Sequence, residues 1–249
     1  MISAIQLAYR VSGLTVLRRL DLHVEKGETL AVMGMSGAGK STLLKCLAGL
    51  LRPCGGQILM DGIDIARMSE TELDRIRRRI GMVFQYAALF DSLTVYENVA
   101  FGLRRHAKLT ESEIAEFVKQ KLSIVGLPRT ENLMPAELSG GMQKRVGMAR
   151  ALALGPEIVF YDEPTAGLDP ITAATIAELI VKTRDELGVT SVLVSHDIPS
   201  IKRVSNRIAM LHRGKIIALG TVEEMENSED PSVRQFMEGS VEGPIQITQ

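Results

Sequence analysis

The segment Gly34-Met35-Ser36-Gly37-Ala38-Gly39-Lys40-Ser41 constrains this chain more than any other. It fits G-x-x-x-x-G-K-[ST] in full, follows an apolar strand pattern at 30–33 and precedes a helical pattern at 42–51. Closely spaced glycines let successive backbone N–H groups wrap phosphate oxygens, and the N-terminus of the following helix adds partial positive charge. Lys40 is suited to β- and γ-phosphates and the Ser41 hydroxyl to Mg²⁺. Gly34 through Ser41, with Thr42 behind them, are the candidate phosphate-binding residues. The competing reading is a glycine-rich strand-to-helix turn with a chance Lys-Ser, which the full motif in its context disfavours.

The length, 249 residues, fits one large domain or a domain with a subdomain. With 45% hydrophobic and 24% charged residues the chain can bury a core, which excludes disordered and low-complexity classes. The net charge of −1 gives no basic field for nucleic acid, and the lack of Trp with only four Tyr and six Phe weakens any base-stacking platform. Cys46 and Cys54 are too few for a disulfide framework and fit a reducing compartment. No apolar run approaches the roughly 18 residues of a membrane span, and no signal peptide is visible, so a cytosolic chain is expected. Charge is uneven: residues 221–249 hold seven acids and one base, Arg234, which marks an acidic C-terminal extension.

The patterning is α/β. Runs at 4–9, 17–24, 29–33 and 57–60 read as strands, and 158–161 and 189–194 as strands buried on both faces of a parallel sheet. Arg213-Gly214 reads as a hairpin turn between 208–211 and 216–219. Ser69 with Glu72, Thr94 with Glu97 and Thr110 with Glu113 are capping boxes. The helix after Thr110 is expected to bury Ile114, Phe117, Val118, Leu122 and Val125 on one face. Asp169, Pro170 and Gly188 bracket a helix expected to bury Ile176, Leu179, Ile180, Thr183 and Leu187. The middle, about 86–155, is mainly helical, which suggests a helical subdomain inserted in an α/β core.

Asp162-Glu163 closes the strand at 158–161, where α/β sheets place ligands. Asp162 is suited to Mg²⁺ and Glu163 to polarising a water at the γ-phosphate; a solvated Asp-Glu-Pro turn is the plain alternative. To this point a kinase, a GTPase and a motor fit equally. Leu138-Ser139-Gly140-Gly141-Met142 then opens another helix, with Ser139 as N-cap and the glycine N–H groups of Gly140 and Gly141 at its start. A second anion cradle on one chain suggests that each cradle serves a different nucleotide across a dimer of two copies. The plain alternative for this segment is a capped helix after a glycine loop.

This set, in this order over residues 1–220, resembles the ATP-binding-cassette (ABC) ATPases. The resemblance implies a P-loop NTPase cassette with a RecA-like core, an antiparallel β subdomain and an inserted helical subdomain, followed by the extension at 221–249. It implies ATP and Mg²⁺ as ligands. Gln85 resembles the Q-loop glutamine that contacts Mg²⁺, so the metal set is Ser41, Gln85 and Asp162. Residues 138–142 resemble the signature, Asp169 the D-loop aspartate, His196 the switch histidine at the γ-phosphate, and Tyr9 the aromatic that stacks on adenine. Glu163 is then the general base, with Lys40 and His196 beside it in catalysis. Met142 stands where the family usually has Gln, and Ala166 where Ser is commoner.

The stretches 87–99 and 195–199, with Lys144-Arg145, are similar to the cassettes of MCE-type (Mla) lipid transporters. That resemblance implies phospholipid moved between bacterial membranes and a peripheral place on the cytoplasmic face of the inner membrane. Its implied partners are a second copy of this chain, an integral membrane permease, an MCE-domain protein and a small STAS-domain subunit, with no nucleic acid. The acidic tail resembles an extension that wraps the opposite ATPase subunit. Leu89, Phe90 and Leu93 are read either as a groove for the permease's coupling helix or as core. A metabolite-import cassette and a soluble ABC ATPase not linked to transport are the alternatives.

Overall fold

The computed structural model describes residues 2–246. In chain order the elements are β1 (Ile2–Val11), β2 (Leu14–Val24), β3 (Thr29–Met33), α1 (Lys40–Leu47), β4 (Gly55–Met60), β5 (Ile63–Asp64), α2 (Glu70–Arg77), β6 (Ile80–Val83), α3 (Val95–His106), α4 (Glu111–Ile124) and α5 (Gly140–Leu152). They continue with β7 (Ile158–Asp162), α6 (Pro170–Leu187), β8 (Thr190–Val194), α7 (Ile198–Val204), β9 (Arg207–His212), β10 (Lys215–Thr221), α8 (Val222–Glu226) and α9 (Pro231–Glu238). Two compact units divide the chain: Met1–Arg67 with Val192–Gln249, and Met68–Ser191, the division falling inside β8.

The first unit holds an antiparallel sheet in the order β2-β1-β4-β5, and the strand order β10-β9-β3-β8. β3 lies parallel to β9, with Leu30 opposite Arg207 and Met33 opposite Met210. Every residue of β3 is buried, as an apolar strand covered on both faces must be. β9 turns into β10 through Arg213 and Gly214, both at positive φ (46° and 77°), the backbone that a two-residue hairpin requires. At Gly214 a Cβ would lie 2.3 Å from the Val16 carbonyl oxygen, so glycine is required by space as well. The acidic extension begins as Thr221 leaves β10 and caps α8 in a box with Glu224.

The second unit pairs β6 and β7 in parallel, from Ile80 opposite Ile158 to Val83 opposite Tyr161. Between 86 and 155 no strand occurs among the described residues, and α3, α4 and α5 fill that stretch. The compact unit is wider than this helical stretch, because it takes in α2, β6, β7 and α6. All three expected capping boxes form, and Asp169 caps α6 before Pro170, with Gly188 left-handed at its end.

Three expectations need correction. The helix after the phosphate loop runs 40–47, not 42–51, because Gly49 at φ 67° ends it. Phe117 is 40% exposed: α4 buries the narrower stripe Ile114, Val118 and Leu122, and Phe117 lies at its margin. Leu187, 44% exposed, is the last residue of α6, where the helix has already left the core.

Candidate functional site

In the first unit β3 delivers the chain to the phosphate loop. Gly34 (φ 150°) passes so close to β9 that a Cβ would sit 2.1 Å from the Leu211 carbonyl oxygen. Gly37 and Gly39 also take positive φ, 79° and 105°. The buried Lys40 ammonium donates to the carbonyls of Gly34 (2.8 Å) and Met35 (3.2 Å), folding the loop around its own helix start. Among the described residues the N–H groups of Ser36, Gly37 and Gly39 make no hydrogen bond. A loop with uncommitted donors, glycine backbone and an ammonium at a helix N-terminus fits an anionic phosphate chain. Ser41 and Thr42 are half-buried in the first turn of α1.

Tyr9 is half-buried in β1 opposite Leu17, at an irregularity in the register. His196 follows β8 and is exposed, just after Ser195, whose N–H reaches the Val32 carbonyl at 3.3 Å. Asp197 N donates to Ser195 Oγ at 3.0 Å, and Ser200 Oγ donates to Asp197. The structure brings Met35 of the loop and His196 to one cavity of about 530 Å³, whose other wall is the C-terminal extension at Phe236, Met237 and Ile245. Gln246 borders a second cavity with Ser36 and Gly37. The extension is itself tied back: Gln235 donates to the Ile245 carbonyl (2.9 Å) and accepts from its N–H (2.8 Å). Acidic composition alone gave no sign of that pair.

In the second unit β7 is buried throughout and ends in the buried Asp162 and Glu163, exposed by 6% and 8%. Glu163 takes φ 49°, an uncommon backbone for a side chain other than glycine, and the N–H of Ala166 turns back to its carbonyl at 3.2 Å. Lys144 of α5, also buried, donates to the same carbonyl at 3.2 Å. Burial lowers the Lys144 pKa, and the Glu163 carboxylate partly offsets that. Within this unit Asp162 and Gln85 offer oxygen donors, the ligand chemistry that a hard divalent cation such as Mg²⁺ prefers.

Ser139 caps α5, its Oγ accepting from Met142 N at 3.3 Å, and Ser139 and Gly140 are exposed. Gly141 is buried where a Cβ would meet Thr172 Cγ2 at 2.5 Å. Thr172 Oγ1 donates to Asp169 at 2.6 Å, and Asp169 also accepts from the N–H groups of Ile171 and Thr172. The structure thereby places the signature glycine beside the residue that Asp169 holds. These bonds, the Thr172 hydroxyl foremost, keep the Asp169 carboxyl below the ordinary aspartate range.

Gln85, half-buried, follows β6, and the chain then turns through Ala87 (φ 56°) and Ala88 (φ 48°). Leu89 and Leu93 are half-buried, but Phe90 is 43% exposed and Phe101 45%, their ring centroids 4.8 Å apart. The core reading fails for Phe90, whose ring is at the surface. Sequence reasoning gave Asn98 no role, yet it is fully buried and ties Phe90, Leu93 and Thr94 together through its amide.

Residues 17–166 match the ABC transporter family. The chain belongs to that family. It is an ABC ATPase cassette of the α/β class, as the phosphate loop, the signature and their order require. It is 42% identical to an intermembrane phospholipid transport system ATP-binding protein, MlaF, of Haemophilus influenzae, over 99% of this chain and 94% of that one. It is equally 42% identical to a probable ribonucleotide transport ATP-binding protein, mkl, of Mycobacterium leprae, covering 97% of this chain and 72% of that one. Among solved structures, the dimeric post-hydrolysis state of the ATP-binding cassette MJ0796, bound to ADP and phosphate, superposes with a TM-score of 0.82 at 34% identity, covering 89% of this cassette and 99% of that chain. Among the described residues no helix of the cassette is long and apolar enough to cross a membrane.

Proposed function

We propose that this cassette powers phospholipid transport between bacterial membranes, as the peripheral ATPase at the cytoplasmic face of an inner-membrane permease that works with an MCE-domain protein and a small STAS-domain subunit. The observation that carries this reading is identity at 42% over 99% of the chain to a relative named for intermembrane phospholipid transport.

In this reading Lys40 and the N–H groups of residues 34–42 hold the β- and γ-phosphates of ATP, and Tyr9 stacks on the adenine. Ser41, Asp162 and Gln85 would hold Mg²⁺, which supplies positive charge to the phosphate oxygens. Glu163 accepts the proton of the attacking water, general-base work of about 10²–10⁴ in rate. His196 orients the γ-phosphate. Ser139, Gly140 and Gly141 serve the nucleotide of a second copy, with Asp169 placed beside them through Thr172. The exposed pair Phe90 and Phe101 receives a cytoplasmic helix of the permease, an apolar anchor of the kind partner interfaces use. The acidic extension clasps the second copy.

The equal identity to a relative named for ribonucleotide transport supports a second reading, a metabolite-import cassette. A tagged Glu163→Gln cassette, extracted from native membranes in mild detergent with MgATP, separates the two. Recovery of a multi-span permease with an MCE-domain protein supports lipid transport. A permease with a solute-binding protein moves the cassette to import, and recovery of no membrane protein contradicts both.

A further inference from the structure

The loop after Gln85 is built in a conformation that its own residues disfavour. Ala87 and Ala88 are consecutive and both left-handed, at φ 56° and 48°, where a Cβ crowds the backbone. Such a pair persists only when its surroundings hold it. The loop's own bonds, Ala87 N to the Phe84 carbonyl (3.0 Å) and Ala88 N to the Tyr86 carbonyl (2.6 Å), leave both carbonyls of the pair to α5. Arg150 donates from Nη2 to the Ala87 carbonyl and from Nη1 to the Ala88 carbonyl, both at 2.7 Å. Its guanidinium carbon also lies 5.9 Å from the centre of the Phe90 ring. One planar fork thus spans two successive carbonyls, a geometry that a lysine ammonium does not reproduce.

The same end of α5 is in ordinary contact with the loop at Gly147 and in close approach to β6 at Gly81. At Gly147 a Cβ would lie 3.4 Å from Ala87 Cβ and from its carbonyl oxygen. At Gly81 of β6 a Cβ would meet the Ala151 carbonyl oxygen at 2.7 Å. Position 81, four residues before Gln85, and positions 87 and 88, just after it, are therefore both pressed on the last turns of α5. The other end of α5 is Ser139 with Gly140 and Gly141.

We infer that Arg150 is a positioning residue for Gln85: its fork locks the left-handed pair at 87–88, and α5 joins the Gln85 loop to the signature as one rigid piece. The inference rests on the reading of Gln85 as a residue that acts at the nucleotide. Arg150 touches no reacting group; it acts by fixing where Gln85 points.

The test uses the assembled transporter purified from membranes, carrying Arg150→Lys, Gln85→Ala or both. Misplacing a positioned group costs turnover far more than binding, so Arg150→Lys is expected to lower kcat about tenfold with ATP affinity unchanged. Because Arg150 acts through Gln85, the double variant is expected to turn over no more slowly than Gln85→Ala alone. Amide hydrogen exchange at residues 86–90 should rise in Arg150→Lys while the first turns of α5 keep their protection. Multiplying losses in the double variant, or unchanged exchange at 86–90, overturns the inference. Full kcat in Gln85→Ala overturns the reading of Gln85 beneath it, which the exchange result leaves separately visible. If Arg150→Lys does not fold, Arg150→Gln, whose shorter neutral amide cannot span the two carbonyls, replaces it. Failure of both to fold makes Arg150 a purely structural residue and also overturns the inference.

Discussion

Two residues show how local chemistry and backbone meet in this cassette. Glu163 is buried and left-handed at the end of a fully buried strand, a placement that holds one carboxylate in one direction. In its proposed role as base for the attacking water, it should be replaceable by Gln without change of shape. Glu163→Gln is expected to lower kcat by about 10²–10⁴ with ATP binding retained, checked by single-turnover hydrolysis beside equilibrium binding. Asp169 offers a pH signature. Its carboxyl is held low by the Thr172 hydroxyl and the N–H groups of α6, so its stabilising contribution is complete above the ordinary aspartate pKa and is lost as pH falls through the lower folded value. Thermal unfolding of wild type and Asp169→Asn is therefore expected to differ most near neutrality and to converge as pH drops below about 4. A constant difference across that window would remove the carboxylate from the account.

At the scale of elements, the phosphate loop, the three capping boxes and the Arg213-Gly214 hairpin were legible in the sequence, because each is decided by residues within a few positions of one another. The burial of β3, β7 and β8 was legible for the same reason, as unbroken apolar runs. What was not legible is what long-range contact decides. Arg150 meets Ala87 and Ala88 across 63 and 62 positions, and nothing in the run Ala149-Arg150-Ala151 announces that. Asn98 looks like an ordinary helix residue, yet its buried amide bonds Phe90 N at 2.8 Å and the carbonyls of Phe90, Leu93 and Thr94 at 3.0–3.1 Å. Asn98→Leu takes the amide's bonds from Phe90 N and the Leu93 carbonyl, while the Phe90 and Thr94 carbonyls keep the N–H groups of Leu93 and Asn98, and is expected to destabilise the second unit by about 1–3 kcal/mol, measured by urea unfolding. Phe90 is at the surface, so Phe90→Glu should leave the unfolding midpoint unchanged. Its expected effect is loss of the permease from material purified through this cassette, which quantitative mass spectrometry of the purified complex checks.

At the scale of the molecule, the acidic extension departs most from what composition conveys. Seven acids and one base mark an appended extension and say nothing of its fold. In the structure its residues form α8 and α9, and the Gln235–Ile245 pair brings the chain back beside Met35 and His196. An ordered extension has a surface to offer a second copy, so deleting residues 228–249 is expected to weaken dimerisation in sedimentation. An unchanged dimer would take the extension out of the assembly.

Hydrolysis by this cassette, in the proposed reading, moves phospholipid. The direct measurement is ATP-driven transfer of a fluorescent phospholipid between vesicles by the reconstituted transporter, with ribonucleotide uptake followed in parallel. Lipid transfer is expected to require ATP and Mg²⁺ and to disappear in Glu163→Gln. ATP-driven ribonucleotide uptake with no lipid transfer would contradict that reading.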